Sequence, residues 1–249
     1  LNISDDEILR HPTVEQLAEY VREKKTKFEA EGINWHQILH EPVNLSLPMS
    51  SPFHTVGNKV VKFLIHQYFR LSVNGLEHLK NSPFILTPNH QSYLDAMIIS
   101  QCFDANLLRK TYFYAEERHF RKFWQRLFAD HHNVIIVDIN RELKLSLQKM
   151  AEVLRKKNNM VLFPEGARTR DGKLAEFKKT FAILSCELNV PIVPAVIQGA
   201  YQAMPKGKTI PVFKQEIRVQ FLPPIFPENL SYEELTEKVH QAIKQELGE

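Results

Sequence analysis

Long apolar runs are missing from this chain of 249 residues. No stretch approaches the roughly 18 uninterrupted apolar residues of a spanning helix, and no segment reads as a signal peptide. Glycine is scarce, at 8 residues, and no two of them form G-x-G. The usual dinucleotide fingerprint is thereby excluded, and no Walker A loop occurs either. Cysteine is limited to Cys102 and Cys186, too few for a disulfide framework, which points to a reducing compartment. A strong surplus of one charge is absent too: 32 basic against 29 acidic residues leave +3. So mild a balance does not suit a dedicated nucleic-acid binder, and no nucleic-acid partner is expected. There is no G-x-S-x-G nucleophile elbow. His119, His131 and His132 do not have zinc-site spacing, so no metal is expected.

What is present is a globular composition. Apolar residues make up 43%, aromatics 10% and charged residues 24%, enough for a sizeable core and unlike a disordered chain. Residues 1–31 read as a helical segment. Thr13 and Gln16 form a capping-box signature, and Val14, Leu17, Ala18 and Val21 share one face. Residues 32–57 lack periodicity and hold Pro42, Pro48 and Pro52, which reads as a linker. Residues 58–249 then alternate. Strands are expected at 84–87, 111–114, 134–137, 160–163, 192–197 and 216–221, and helices at 92–103, 118–129, 142–157, 175–188 and 231–247. Alternation of this kind predicts an α/β domain whose central sheet is largely parallel or mixed and is flanked by helices. The last helix carries its own capping box, Ser231 with Glu234.

Two segments stand where such a sheet places its ligands, just past the ends of buried strands. The first is Asn89-His90-Gln91-Ser92-Tyr93-Leu94-Asp95. His90 is the side chain suited to take a proton from a hydroxyl near neutral pH. Asp95, five residues on, can reach the other ring nitrogen, fix the tautomer and stabilise the imidazolium. The same two side chains could instead cap a helix at Ser92. The second segment runs Phe163-Pro164-Glu165-Gly166-Ala167-Arg168. Gly166 allows a close approach of backbone to ligand, and Arg168 offers a planar fork for a phosphate. Glu165 could hold that Arg or bind a substrate hydroxyl. A plain surface turn with an ion pair is the alternative.

Taken together, the two segments resemble the glycerolipid acyltransferases, the glycerol-3-phosphate and 1-acylglycerol-3-phosphate acyltransferase family. Asn89-His90 through Asp95 matches the family's NHxxxxD motif, and Phe163 to Arg168 its FPEGxR motif, about 70 residues later. Val190-Pro191-Ile192-Val193-Pro194 is similar to its VPxxP block, and Gly75-Leu76-Glu77 to its G-x-E approach. The resemblance implies a glycerol-phosphate acyltransferase-like fold with an N-terminal helical extension. It implies His90 and Asp95 as the catalytic pair, and Asn89, Ser92, Arg141, Glu165, Gly166 and Arg168 as substrate-binding residues. Arg141 would be the Arg that ends the family's second apolar strand, although Ile139 and Asn140 separate it from Asp138 here.

The activity so implied transfers a fatty acyl group from a thioester to a hydroxyl of a glycerophosphate lipid precursor. The preferred acceptor is 1-acylglycerol-3-phosphate, in phospholipid biosynthesis. Glycerol-3-phosphate and lysophospholipid acceptors, a thioesterase and a silent lipid-binding module are the alternatives. No cofactor is implied, and acyl-CoA or acyl carrier protein would be the donor. The expected location is peripheral, on the cytoplasmic side of a membrane, with Val60, Phe63, Leu64 and Phe69 as the docking residues beside Lys59, Lys62 and Arg70. The basic helix expected at 118–129 is the next candidate surface. Residues 3–21 resemble, in addition, the last helices of an acyl- or peptidyl-carrier domain. On that resemblance the chain is expected to be part of a longer, fused acyl-activating protein.

Overall fold

The computed structural model describes residues 13, 16, 19–20, 34–41, 43, 45–48, 52–116, 126, 129, 132–137, 142–205, 207–208 and 210–249. Two compact units divide after Gln37. In the first, the Thr13 and Gln16 pair forms as expected: each backbone N–H meets the other's side-chain oxygen, at 3.4 and 3.2 Å.

The second unit is a mixed α/β domain. Seven strands, β1 (Arg70–Asn74), β2 (Ile85–Pro88), β3 (Thr111–Glu116), β4 (Val134–Val137), β5 (Asn159–Val161), β6 (Ile192–Gln198) and β7 (Glu216–Phe221), form one sheet in the order β1-β7-β6-β2-β5-β3-β4. The five strands from β6 to β4 are all parallel, whereas β7 runs antiparallel to β6 and parallel to β1. The burial of each strand explains its sequence. β2 (Ile-Leu-Thr-Pro) and β5 (Asn-Met-Val) are buried at every position, with apolar side chains on both faces, as strands covered on both sides have. Edge strand β1 alternates between exposed and half-buried positions. Its residues, Arg-Leu-Ser-Val-Asn, carry too weak an apolar pattern to be read locally as a strand, and pairing with β7 makes it one.

Among the described residues, the α-helices with defined bounds are α1 (Trp35–His40), α2 (Pro52–Tyr68), α3 (Asp95–Cys102), α4 (Ala105–Lys110), α5 (Leu143–Arg155), α6 (Thr180–Leu188), α7 (Ala200–Ala203) and α8 (Tyr232–Leu247). Leu86, Val161, Val193 and Val219 lie in one apolar cluster with Ile65 of α2, with Phe69 just past its end, and with Ile98 and Ile99 of α3. Ile85, Met160, Ile192 and Val196 alternate to the other face and are fully buried there, where α5, α6 and α8 pack on the sheet. Each side chain buried in this way contributes about 1.5–3 kcal/mol.

Several elements differ from the expected bounds. α1 lies inside the segment read as linker, and α2 runs through residue 57, where that segment was expected to end. Gly57 sits in mid-helix at the modest propensity cost of a helical glycine, and a Cβ there would meet nothing within 4 Å, so no close approach requires it. α3 and α6 start later than residues 92 and 175. Residues of the basic helix expected at 118–129 lie outside the described set, apart from Arg126 and Ala129, both helical. Among the described residues, no helix is long and apolar enough to cross a membrane.

Candidate active site

β2 and β5 are adjacent and parallel. The segments that follow them therefore emerge side by side, although 75 residues separate His90 from Glu165. The first segment is a loop as far as Leu94, and Asp95 gathers its backbone. One carboxylate oxygen, Oδ2, accepts the N–H groups of Gln91 at 2.6 Å and Ser92 at 2.7 Å, and His90 Nδ1 lies 2.8 Å from the same atom. The helix that follows begins at Asp95.

The pair is shielded on one side and open on the other. Asp95 is completely buried, while the His90 side chain is 21% exposed. The imidazole stacks on Phe163 with ring centroids 4.1 Å apart. Because Nδ1 faces the carboxylate, it carries the proton in the neutral ring and leaves Nε2 as the basic nitrogen. Burial pushes the Asp95 carboxyl up from its ordinary range, against the pull of His90 and the Ser92 and Gln91 N–H groups.

Glu165 stitches the two loops together. Its Oε1 accepts the His90 N–H at 2.6 Å and its Oε2 accepts the Ala175 N–H at 3.1 Å. The Thr169 N–H donates to the His90 carbonyl at 2.9 Å. His90 is thus held by both its backbone groups and by its ring. The Lys178 N–H in turn donates to the Pro164 carbonyl at 2.8 Å, which ties this stretch to the same loop, and α6 begins at Thr180. Burial pushes the Glu165 carboxyl up to about 7, opposed by the two N–H donors and assisted by the charges of Asp95 and Glu249.

Arg168 does not pair with Glu165. Its guanidinium lies 3.2 Å from the centroid of the Tyr93 ring, a cation–π stack. Its Nη1 is buried and has no hydrogen-bond partner among the described residues. Gly166 adopts a φ of +71°, and a Cβ there would come within 2.9 Å of the Lys178 chain. Backbone and Lys178 therefore meet where any side chain would intrude.

Asn89 and Ser92, expected to bind substrate, are turned inward. Asn89 is 2% exposed, and its amide bonds both backbone groups of Ile197, at 3.0 and 2.7 Å. It acts as an added rung on β6. Ser92 is fully buried and donates to the Met204 carbonyl at 2.8 Å. Both hold the His90 loop from behind, because their polar atoms already have backbone partners. Arg141 lies outside the described residues. Tyr93, Thr169 and Phe163 sit against His90 or Arg168 without having been singled out as site residues. Aromatic character inside the first motif is the signal that could have found Tyr93.

The family profile described as Acyltransferase matches residues 70–198. A 1-acyl-sn-glycerol-3-phosphate acyltransferase of Limnanthes douglasii is 29% identical over 171 residues, covering 68% of this chain and 59% of that protein. A chloroplastic protein of the same name from Brassica napus is 26% identical over 176 residues, covering 70% and 50%. The chain thus spans only half to three fifths of the length of these relatives. The crystal structure of the 1-acyl-sn-glycerophosphate acyltransferase PlsC from Thermotoga maritima superposes with a TM-score of 0.64 at 25% identity, covering 78% of this chain and 80% of that one.

Proposed function

Because the chain belongs to the acyltransferase family, we propose that it transfers a fatty acyl group from a thioester to the hydroxyl of a glycerophosphate lipid precursor, 1-acylglycerol-3-phosphate in the first instance. His90 Nε2 accepts the hydroxyl proton as the oxygen attacks the thioester carbonyl. The new ester C–O bond forms, the C–S bond breaks, and the imidazolium returns its proton to the departing thiolate. Asp95 holds Nδ1–H and offsets the charge that develops on the ring. A thiolate leaves readily, so this route uses no acyl-enzyme. The observation that carries the reading is Arg168. It offers a buried, unpartnered N–H one residue from the Thr169 N–H that bonds to His90, a donor suited to a substrate phosphate. A thioesterase acting with water has no use for it.

The donor is acyl-CoA or acyl carrier protein, and the enzyme works at the cytoplasmic surface of a membrane. The exposed face of α2 supports that location: Val56, Val60, Phe63 and Leu64 point to solvent, Phe63 by 63%. Phe69, expected on this face, is only 6% exposed and belongs to the core instead. It follows Tyr68, the last residue of the helix, in register with the inward Val61 and Ile65.

Purified protein offered each donor with each acceptor, with the lipid product identified by mass, tests the reading directly. Arg168→Lys keeps the charge but loses the fork, so KM for a phosphate-bearing acceptor should rise about tenfold while KM for the donor holds. Tyr93→Leu should follow it and Tyr93→Phe should not. Release of free fatty acid with no acylated lipid would refute the transfer reading.

A further inference from the structure

Three of the exposed large apolar side chains fall within four positions of one loop that follows α7. Ile210, Val212 and Phe213 are 78%, 52% and 58% exposed. Leaving them in water forgoes the burial energy that the rest of the domain collects, so this loop is built to be covered. It is also firmly tied. The Val212 N–H donates to the Ala203 carbonyl at 2.8 Å, and the Lys214 N–H to the Tyr68 carbonyl at 2.8 Å. The Tyr68 hydroxyl donates to the Pro211 carbonyl at 2.8 Å, and its ring meets Phe213 edge-on at 5.2 Å. Lys208 and Lys214 flank the apolar residues and are exposed.

We propose that this loop is a second bilayer contact: Ile210, Val212 and Phe213 enter the apolar boundary of an anionic lipid surface, and Lys208 and Lys214 meet its headgroups. The inference rests on the lipid acceptor proposed above. Two observations select a bilayer as the occupant. First, the loop continues the exposed face of α2, since Leu64 lies one helical turn before Tyr68, which packs on Phe213. Second, large apolar side chains between cations are the pattern of an interfacial anchor, which gains from apolar burial and from headgroup charge together. α7, to which the loop is tied through Ala203, also reaches the site. The Tyr201 N–H in α7 bonds the Gln91 side chain at 3.3 Å, and Met204 receives the Ser92 hydroxyl. An anchored loop would therefore hold the His90 segment at a fixed depth relative to the lipid.

The test is cosedimentation with vesicles of equal parts phosphatidylglycerol and phosphatidylcholine, and with phosphatidylcholine alone. Replacing Ile210 and Phe213 together by Ser should lower partition into the anionic vesicles by about tenfold or more. Melting temperature and turnover on a short, soluble acceptor should stay as they were. Lys208→Gln or Lys214→Gln should lower it by about fivefold each and leave binding to neutral vesicles unaltered. Should the double variant melt early, Ile210→Asp alone reads the same quantity. Unchanged partition in a folded variant overturns the proposal, as does failure of the parent protein to bind anionic vesicles. A rise in KM for acyl carrier protein with vesicle binding intact also overturns it, and assigns the loop to a carrier protein. Loss of vesicle binding in the variant, beside a parent that acylates no acceptor, leaves the loop contact standing and removes the functional reading.

Discussion

At the scale of single residues, the tightest geometry surrounds Asp95. One of its oxygens accepts three hydrogen bonds from the loop that carries His90. That carboxylate shapes the loop and orients the ring with the same atom. His90→Ala should therefore lower kcat by about 10²–10⁴ without altering the fold. Asp95→Asn should lower both kcat and thermal stability, since an amide oxygen is a weaker acceptor for all three donors. Steady-state kinetics beside a thermal melt separate the two effects, and near-normal turnover in folded His90→Ala would end the general-base assignment. Glu165 yields a prediction on pH. Its carboxyl is raised from 4.5 to about 7 in the fold, so between those values the native state binds more protons than the unfolded one. Stability then falls as pH rises across that window and levels off above it, by on the order of 3 kcal/mol at most. Denaturant titrations should show this slope in the parent protein and its loss in Glu165→Gln.

At the scale of elements, α2 shows how one helix serves two surroundings. Val61 and Ile65, with Phe69 just beyond its end, face the core, while Val56, Val60, Phe63 and Leu64 face out. Phe69→Ala should cost about 3–5 kcal/mol, as cavity-forming changes do. Phe63→Asp with Leu64→Asp should leave the melting temperature nearly unchanged and weaken vesicle binding. Thermal melts and cosedimentation of the two variants check this division. The helix starts show the limit of local pattern. Periodicity allowed helices from 92 and 175, but the residues there form loops bonded to Asp95 and Glu165, and the helices start at Asp95 and Thr180. Where a local cap does the work, as with Ser231 and Glu234, the expected and observed starts agree.

At the scale of the whole molecule, a net charge of +3 gives little overall pull toward an anionic surface. Attraction must come from local cations near apolar side chains. Vesicle binding should accordingly fall as salt is raised past about 0.1 M, where the screening length is ~10 Å, yet retain an apolar remainder. Cosedimentation across a salt series measures both parts. The alternation of strands and helices, the buried character of β2, β5 and β6, the capping boxes and the residue types of both motifs were legible in the sequence. Each depends on neighbours a few positions away, through side-chain period or a local hydrogen bond. The tertiary structure decided that β2 lies beside β5, that weakly patterned Arg70–Asn74 becomes a strand, and that Phe69 is core. It also decided that Glu165 bonds backbone rather than Arg168, and that Asn89 and Ser92 brace the loop from behind. These depend on which apolar faces pair across the sheet and which buried polar atoms must then find partners. Both conditions are set by residues far apart in the chain.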